Sequence, residues 1–190
     1  MRSIMKKFPY LSMALFALLW LAACSKPGDN FRFGPGYVGP LHGHTAPDKL
    51  QALFPDDSIG RPEKVTGIET QTTVRIFEKG TGKPLLQLNY RSQDDTLALW
   101  AVEILSPRYH SEQGPGLQSS FTEWKKAYKP GRVETTLQHV VVFFPQLNAT
   151  LSFGIDALAD AAQHNPAVKP DVDAIKPGAR AEALTVFLQK

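Results

Sequence analysis

Only one cysteine occurs in the 190 residues, and it stands at position 24, directly behind an apolar run. That placement constrains everything downstream: no disulfide can form within the chain, so the fold must rest on a hydrophobic core. The run itself, residues 10–21, is rich in Leu, Ala, Phe and Trp and follows the basic residues Arg2, Lys6 and Lys7. A basic segment ahead of a short apolar one is the layout of an export signal. At about 12 residues it falls short of the roughly 20 that a membrane-crossing helix needs. Residues 1–23 therefore read as a removable signal peptide.

The tetrapeptide Leu21-Ala22-Ala23-Cys24 resembles the lipobox of bacterial lipoproteins. The resemblance implies that the Cys24 thiol accepts a diacylglyceryl group, that cleavage precedes Cys24, and that the lipidated cysteine begins the mature chain. In that family an aspartate after the cysteine tends to retain the protein in the inner membrane. Ser25 stands there instead, which implies lipid anchoring at the outer membrane, facing the periplasm. Loss of Arg2, Lys6 and Lys7 takes three of the 21 basic residues and none of the 18 acidic ones, leaving 18 against 18. The basic pI belongs to the precursor and gives no warrant for a nucleic-acid partner.

Residues 24–40 follow as the lipidated cysteine and a spacer, because SKPGDNFRFGPGYVGP is punctuated by Gly and Pro. Its Phe31, Phe33 and Tyr37 read as incidental to a flexible tether, the alternative being that they dock on the domain or a partner. Residues 41–190 have the length of a single domain. Within them Ser120-Phe121-Thr122-Glu123 forms a capping box, and Phe121, Trp124 and Tyr128 follow at helical spacing until Pro130 ends the segment. An earlier stretch echoes this 75 positions upstream, with Thr45 as cap, Pro47 in the first turn and Leu50, Leu53 and Phe54 on the apolar side. Residues 72–78 and 84–90 read as a hairpin around Lys79-Gly80-Thr81-Gly82-Lys83, and residues 97–105 as a further half-buried strand. Residues 139–144 and 149–155 form a second hairpin. In the tail, residues 156–163 suggest a short helix, 165–178 a loop and 182–188 a last strand. The fold expected is α+β: an antiparallel sheet with short helices packed on one face, arranged as a tandem helix-hairpin repeat.

The stretch Ile104-Leu105-Ser106-Pro107-Arg108-Tyr109, then Gly114, the capped helix, two strands and Lys176-Pro177-Gly178 is similar to a pattern in bacterial envelope proteins and lipoproteins of uncharacterised role. The layout also resembles, more loosely, the helix-and-sheet repeats of β-lactamase-inhibitor and BamE-like lipoproteins. These resemblances imply a role in binding other proteins.

Catalytic and metal chemistry finds little purchase. His42-Gly43-His44, with Asp48 and Asp56-Asp57 downstream, is the one arrangement at metal-ligand spacing, but a polar loop leading into a helix explains it as well. His110, His139 and His164 are scattered. No Gly-x-Ser-x-Gly turn occurs, Ser119 and Ser120 belong to the helix start, and the paired acids Asp56-Asp57 and Asp94-Asp95 are ordinary turn residues. Gly80-Thr81-Gly82-Lys83 lacks the spacing and following helix of a phosphate loop. Residues 106–119 make the longest connection between firm elements, and long ordered loops often carry function. Arg108, Tyr109 and His110 are accordingly the candidate binding residues.

The expectation is a non-enzymatic lipoprotein without cofactor or metal, bound to the membrane through its lipid and to an envelope protein partner. An immunity or inhibitor lipoprotein against an envelope toxin stands second, and a metal-dependent hydrolase third. Cys24→Ala is expected to abolish acylation and leave an unprocessed precursor. Metabolic labelling with a fatty-acid analogue decides this, and a mutant that still takes up label contradicts it.

Overall fold

A computed structural model describes residues 30–66, 70–93, 96–159 and 170–189. The signal peptide, Cys24, Asp94-Asp95, His164 and the second half of the tail helix expected at 156–163 lie outside the described residues. In chain order the elements are β1 (Arg32–Gly34), β2 (Tyr37–Val38), β3 (Leu41–His42), α1 (Leu50–Leu53), β4 (Asp57–Ile59), β5 (Glu63–Thr66), β6 (Thr70–Glu78), β7 (Pro84–Gln93), β8 (Thr96–Ile104) and β9 (His110–Ser111). There follow α2 (Phe121–Ala127), β10 (Val133–Thr135), β11 (His139–Phe144), β12 (Ala149–Gly154) and β13 (Ala183–Phe187). Strand dominates, helices are few and short, and the class is α+β with a strong β bias.

The larger sheet runs β10-β11-β12-β13-β8-β7-β6-β4, with β5 also paired to β6, and every pairing in it is antiparallel. Period-two alternation gives it one apolar face. Ile76, Leu86, Ile104, Leu184, Leu151 and Val142 lie opposite one another across six strands, all fully buried. Val74, Leu88, Val102, Val186, Ala149 and Phe144 form the next such row. On the opposite face, between the two rows, stand the polar Arg75, Gln87, Glu103, Thr185 and Thr150 with Phe143; Arg75 donates to Gln87 at 3.0 Å and Gln87 donates to Glu103 at 3.3 Å. The expected last strand is β13, and its place is central, between β12 and β8.

The helix α2 covers part of the apolar face. Ser120 Oγ accepts from the Glu123 amide and Glu123 accepts from the Ser120 amide, so the capping box forms as the sequence predicts. Phe121 meets Phe153 edge-on with ring centres 5.5 Å apart, and Trp124 lies 5.3 Å from Phe144. The indole nitrogen donates to the Gly116 carbonyl at 3.2 Å. Phe121, Trp124 and Tyr128 are all buried, so the aromatic stripe is core.

Four expectations need correction. The run taken as a tether is, from residue 30 on, part of the fold: β1, β2 and β3 join β9 in a four-stranded sheet, and Phe33 and Val38 are fully buried in the core. The alternation Phe31-Arg32-Phe33 outweighs the surrounding glycines, which serve as turns; Gly36 and Gly39 both take positive φ. Thr45 does not cap a helix. Its hydroxyl accepts from the His42 amide at 2.9 Å, and the helical turn starts after Ala46 with no side-chain cap. The internal echo therefore does not establish a repeat, since α1 has four residues and no capping box where α2 has seven and a complete one. In the tail, residues 155–157 make a single 3-10 turn instead of the start of a helix.

Trp124 is fully buried and hydrogen-bonded, so Trp124→Ala is expected to lower stability by about 3–5 kcal/mol. Equilibrium urea denaturation measures it, and an unchanged midpoint would contradict the packing of α2.

Candidate functional site

The connection from β8 to α2 is ordered by its own hydrogen bonds. Leu105 and Ser106 amides both donate to the Leu85 carbonyl, and the Tyr109 amide donates to the Ser106 carbonyl, which turns the chain sharply after β8. The chain then runs as β9 parallel to β1, pairing Arg32 with His110 and Phe33 with Ser111. The bend at Gly114-Pro115-Gly116 has structural reasons. Gly114 has φ +107, which side chains rarely adopt, and a Cβ on Gly116 would collide with the Tyr109 carbonyl. Tyr128 Oη accepts from the Gln113 amide at 3.2 Å, and Tyr37 donates to Glu112 at 2.6 Å. Burial and the Glu112 carboxylate push the Tyr37 phenol up to about 12, which keeps it a donor.

The three candidate residues divide. Arg108 is half-exposed, donates to Glu78 at 2.7 Å and stacks its guanidinium on Phe31 at 3.8 Å. His110 is part-buried, and its Nδ1 lies 3.2 Å from the Arg108 carbonyl. Tyr109 is a correction: only 1% exposed, its ring packs edge-on against Phe31 at 5.2 Å, so it offers no area for a surface contact. The turn at Ser106 sends Tyr109 inward, while Arg108 just before it stays half-exposed.

Arg108 stands at the rim of a cleft of about 360 Å³. Four segments build it: Asn30 and Phe31 before β1, Leu53 and Phe54 at the end of α1, Pro55 to Asp57 leading into β4, and Glu78-Lys79 at the tip of β6. Register explains the chemistry. Asp57 of β4 lies directly opposite Glu78 of β6, and like charges so placed repel. Arg108 relieves this by pairing with Glu78, while the Lys79 amide donates to the Asp57 carboxylate. Burial nevertheless pushes the Asp57 carboxyl above its ordinary range, with Asp56 and Glu78 adding to the rise and Arg108 opposing it. Burial and the Asp57 charge together push the Tyr109 phenol up as well, so it stays protonated.

Sequence reasoning left out Glu78 and named Phe31 and Asp57 only in other roles, as a tether aromatic and as a carboxylate downstream of the histidine pair. Phe31 carried a signal, its alternation with Phe33. Nothing local foretells that Asp57 and Glu78, 21 residues apart, face each other across two strands. At the other candidate, the His42 and His44 rings stack nearly parallel at 5.8 Å, and Asp48 pairs with Lys49 at 3.3 Å. Among the described residues no group of three His, Cys, Asp or Glu side chains is arranged to hold a metal ion. No family model matches the chain, and no curated protein or solved structure matches it either.

A carboxyl whose folded pKa is raised takes up protons more readily folded than unfolded, so it lowers stability as pH rises through that folded pKa. The direction for Asp57 is upward. Asp57→Asn is therefore expected to stabilise the protein at neutral pH, with the gain vanishing below about pH 3, where both states carry a neutral carboxyl. Thermal midpoints across that range test it; a loss of stability at neutral pH would mean that the ion pairs outweigh desolvation.

Proposed function

We propose that the protein is a lipid-anchored lipoprotein of the outer membrane, facing the periplasm, which acts by binding another envelope protein at the face around Arg108 and not by catalysis. The anchor rests on the basic segment, the short apolar run and Leu21-Ala22-Ala23-Cys24. The observation that carries the binding reading is the mounting of Arg108. Its guanidinium is held at once by Glu78 and by the Phe31 ring, on a turn tied to Leu85, yet half of the side chain stays open to solvent. A cation fixed in this way has already lost much of the freedom that binding would otherwise remove. Arginine is also among the residue types that most often dominate protein interfaces.

Crosslinking of the full-length lipidated protein in native membranes, followed by affinity capture, supplies the test. Arg108→Ala is expected to weaken capture of the partner by roughly thirtyfold, the loss of an interface hot spot of about 2 kcal/mol. The fold should survive, because a half-exposed ion pair contributes little. The double variant His42→Ala, His44→Ala should capture the partner normally. The opposite pattern would move the recognition site to the histidine turn.

A further inference from the structure

Asn30 fixes the point from which the domain hangs. It lines the same cleft as Arg108, and its carbonyl oxygen packs so closely on the β2–β3 turn that a Cβ on Gly39 would fall 2.5 Å from it. The next residue, Phe31, accepts from the His110 amide at 2.9 Å and carries the Arg108 guanidinium on its ring. The chain therefore enters the fold at the Arg108 face itself. Five residues separate Cys24 from Asn30, and six Cα-to-Cα steps span at most about 20 Å in any conformation. The far end of the large sheet is under no such restriction. Val65, 44% exposed on β5, pairs with Gln71, and β6 carries the chain roughly 25 Å from there to Lys79 at the cleft.

We infer that the Arg108 face works in the layer next to the membrane, and that its partner is a protein embedded in or anchored to that same membrane, met at a segment lying beside the lipid. This rests on the lipid-anchored binding reading above and adds the kind of partner and the height at which it is met. A lipid on Cys24 holds the cleft within reach of five residues, whereas the β5 end is free to point away from the bilayer. A partner free in solution would have to enter the gap between domain and bilayer, where so short a connection leaves little room. One that shares the membrane is already there. Lipid headgroups fit the cleft less well. Basic clusters draw anionic headgroups, but here Asp56, Asp57 and Glu78 outnumber Lys79 and Arg108, and Arg108 is committed to Glu78.

The lipidated protein, reconstituted in vesicles of phosphatidylethanolamine and phosphatidylglycerol that contain an acceptor-labelled lipid, reads the height directly. With Cys24 consumed by its lipid, a donor dye enters only at an introduced cysteine, Lys79→Cys in one variant and Val65→Cys in another, both at exposed positions. Energy transfer to the lipid from Lys79→Cys is expected to exceed that from Val65→Cys by at least about twofold, because the distance between the sites is comparable with the reach from Cys24 to Asn30. Adding Arg108→Ala to the Lys79→Cys variant should leave its transfer unchanged. In native membranes a photo-crosslinker carried on Lys79→Cys is expected to join a protein that stays with the bilayer after alkaline carbonate washing, through a peptide adjoining its membrane-embedded or lipid-bearing segment. Equal or greater transfer from Val65→Cys overturns the inference, as does a crosslinked partner that washes off or the absence of any adduct. A fall in transfer with Arg108→Ala overturns it too, and assigns the face to lipid headgroups. If the protein takes up no fatty-acid label, the anchor falls and the inference with it. If label and transfer are as expected but Arg108→Ala captures the partner normally, the anchor stands while the binding face and the inference fall.

Discussion

The fold depends on β13. This strand, drawn from residues 183–187 near the end of the sequence, lies between β8 and β12. Without it the β6-β7-β8 meander and the β11-β12 hairpin would be two unconnected pieces of sheet. Leu184 and Val186 complete both apolar rows, each of them continuous over six strands. A central strand supplied so late in the chain makes the closing contacts long-range, so their loop entropy must be met before the rows reward it. The strand is held at both flanks, and nothing about its own five residues would mark it as more than one of several.

The site inherits its geometry from that closure. Because β6, β7 and β8 keep a fixed register, the β6 tip at Glu78 and the exit of β8 at Ile104 come to the same end of the sheet. Leu105 and Ser106 are then pinned on Leu85, one residue into β7 from Pro84, and the turn that follows delivers Arg108 to Glu78 at 2.7 Å. The small sheet of β1, β2, β3 and β9 brings Phe31 under the guanidinium from the other side. No single element carries the cleft. It exists where the rim of the large sheet meets the edge of the small one.

This explains what was legible beforehand. Alternation within one segment reveals which side chains face inward, so β6, β7, β8, β11 and β12 and the buried stripe of α2 could be read locally, as could the capping box at Ser120 and Glu123. What an inward face packs against, and which distant strand lies alongside, are properties of register and closure. The pairing of Asp57 with Glu78, the central position of β13 and the inward turn of Tyr109 belong to that second kind of information. Phe31 and Phe33 fall between. Their spacing by two was visible, but glycine and proline on both sides suggested a spacer, whereas those residues mark the tight turns that let three very short strands pack as a sheet.

Charge balance sets the terms on which such a site could work. A chain with 18 basic and 18 acidic residues after residue 23 creates no broad field to steer a partner, and exposed charges fade within about 8 Å at physiological ionic strength. Association of unsteered proteins is slow, about 10⁵ to 10⁶ M⁻¹s⁻¹. The proposed anchor changes that situation without altering the site. Two proteins held on one membrane search a layer instead of a volume, and the gain in effective concentration raises occupancy although no contact is added. A small cleft with a few fixed polar groups is then sufficient for recognition. Its part-buried Asp57 carboxyl, which burial pushes above its ordinary range, is the group there that gains most from a complementary partner.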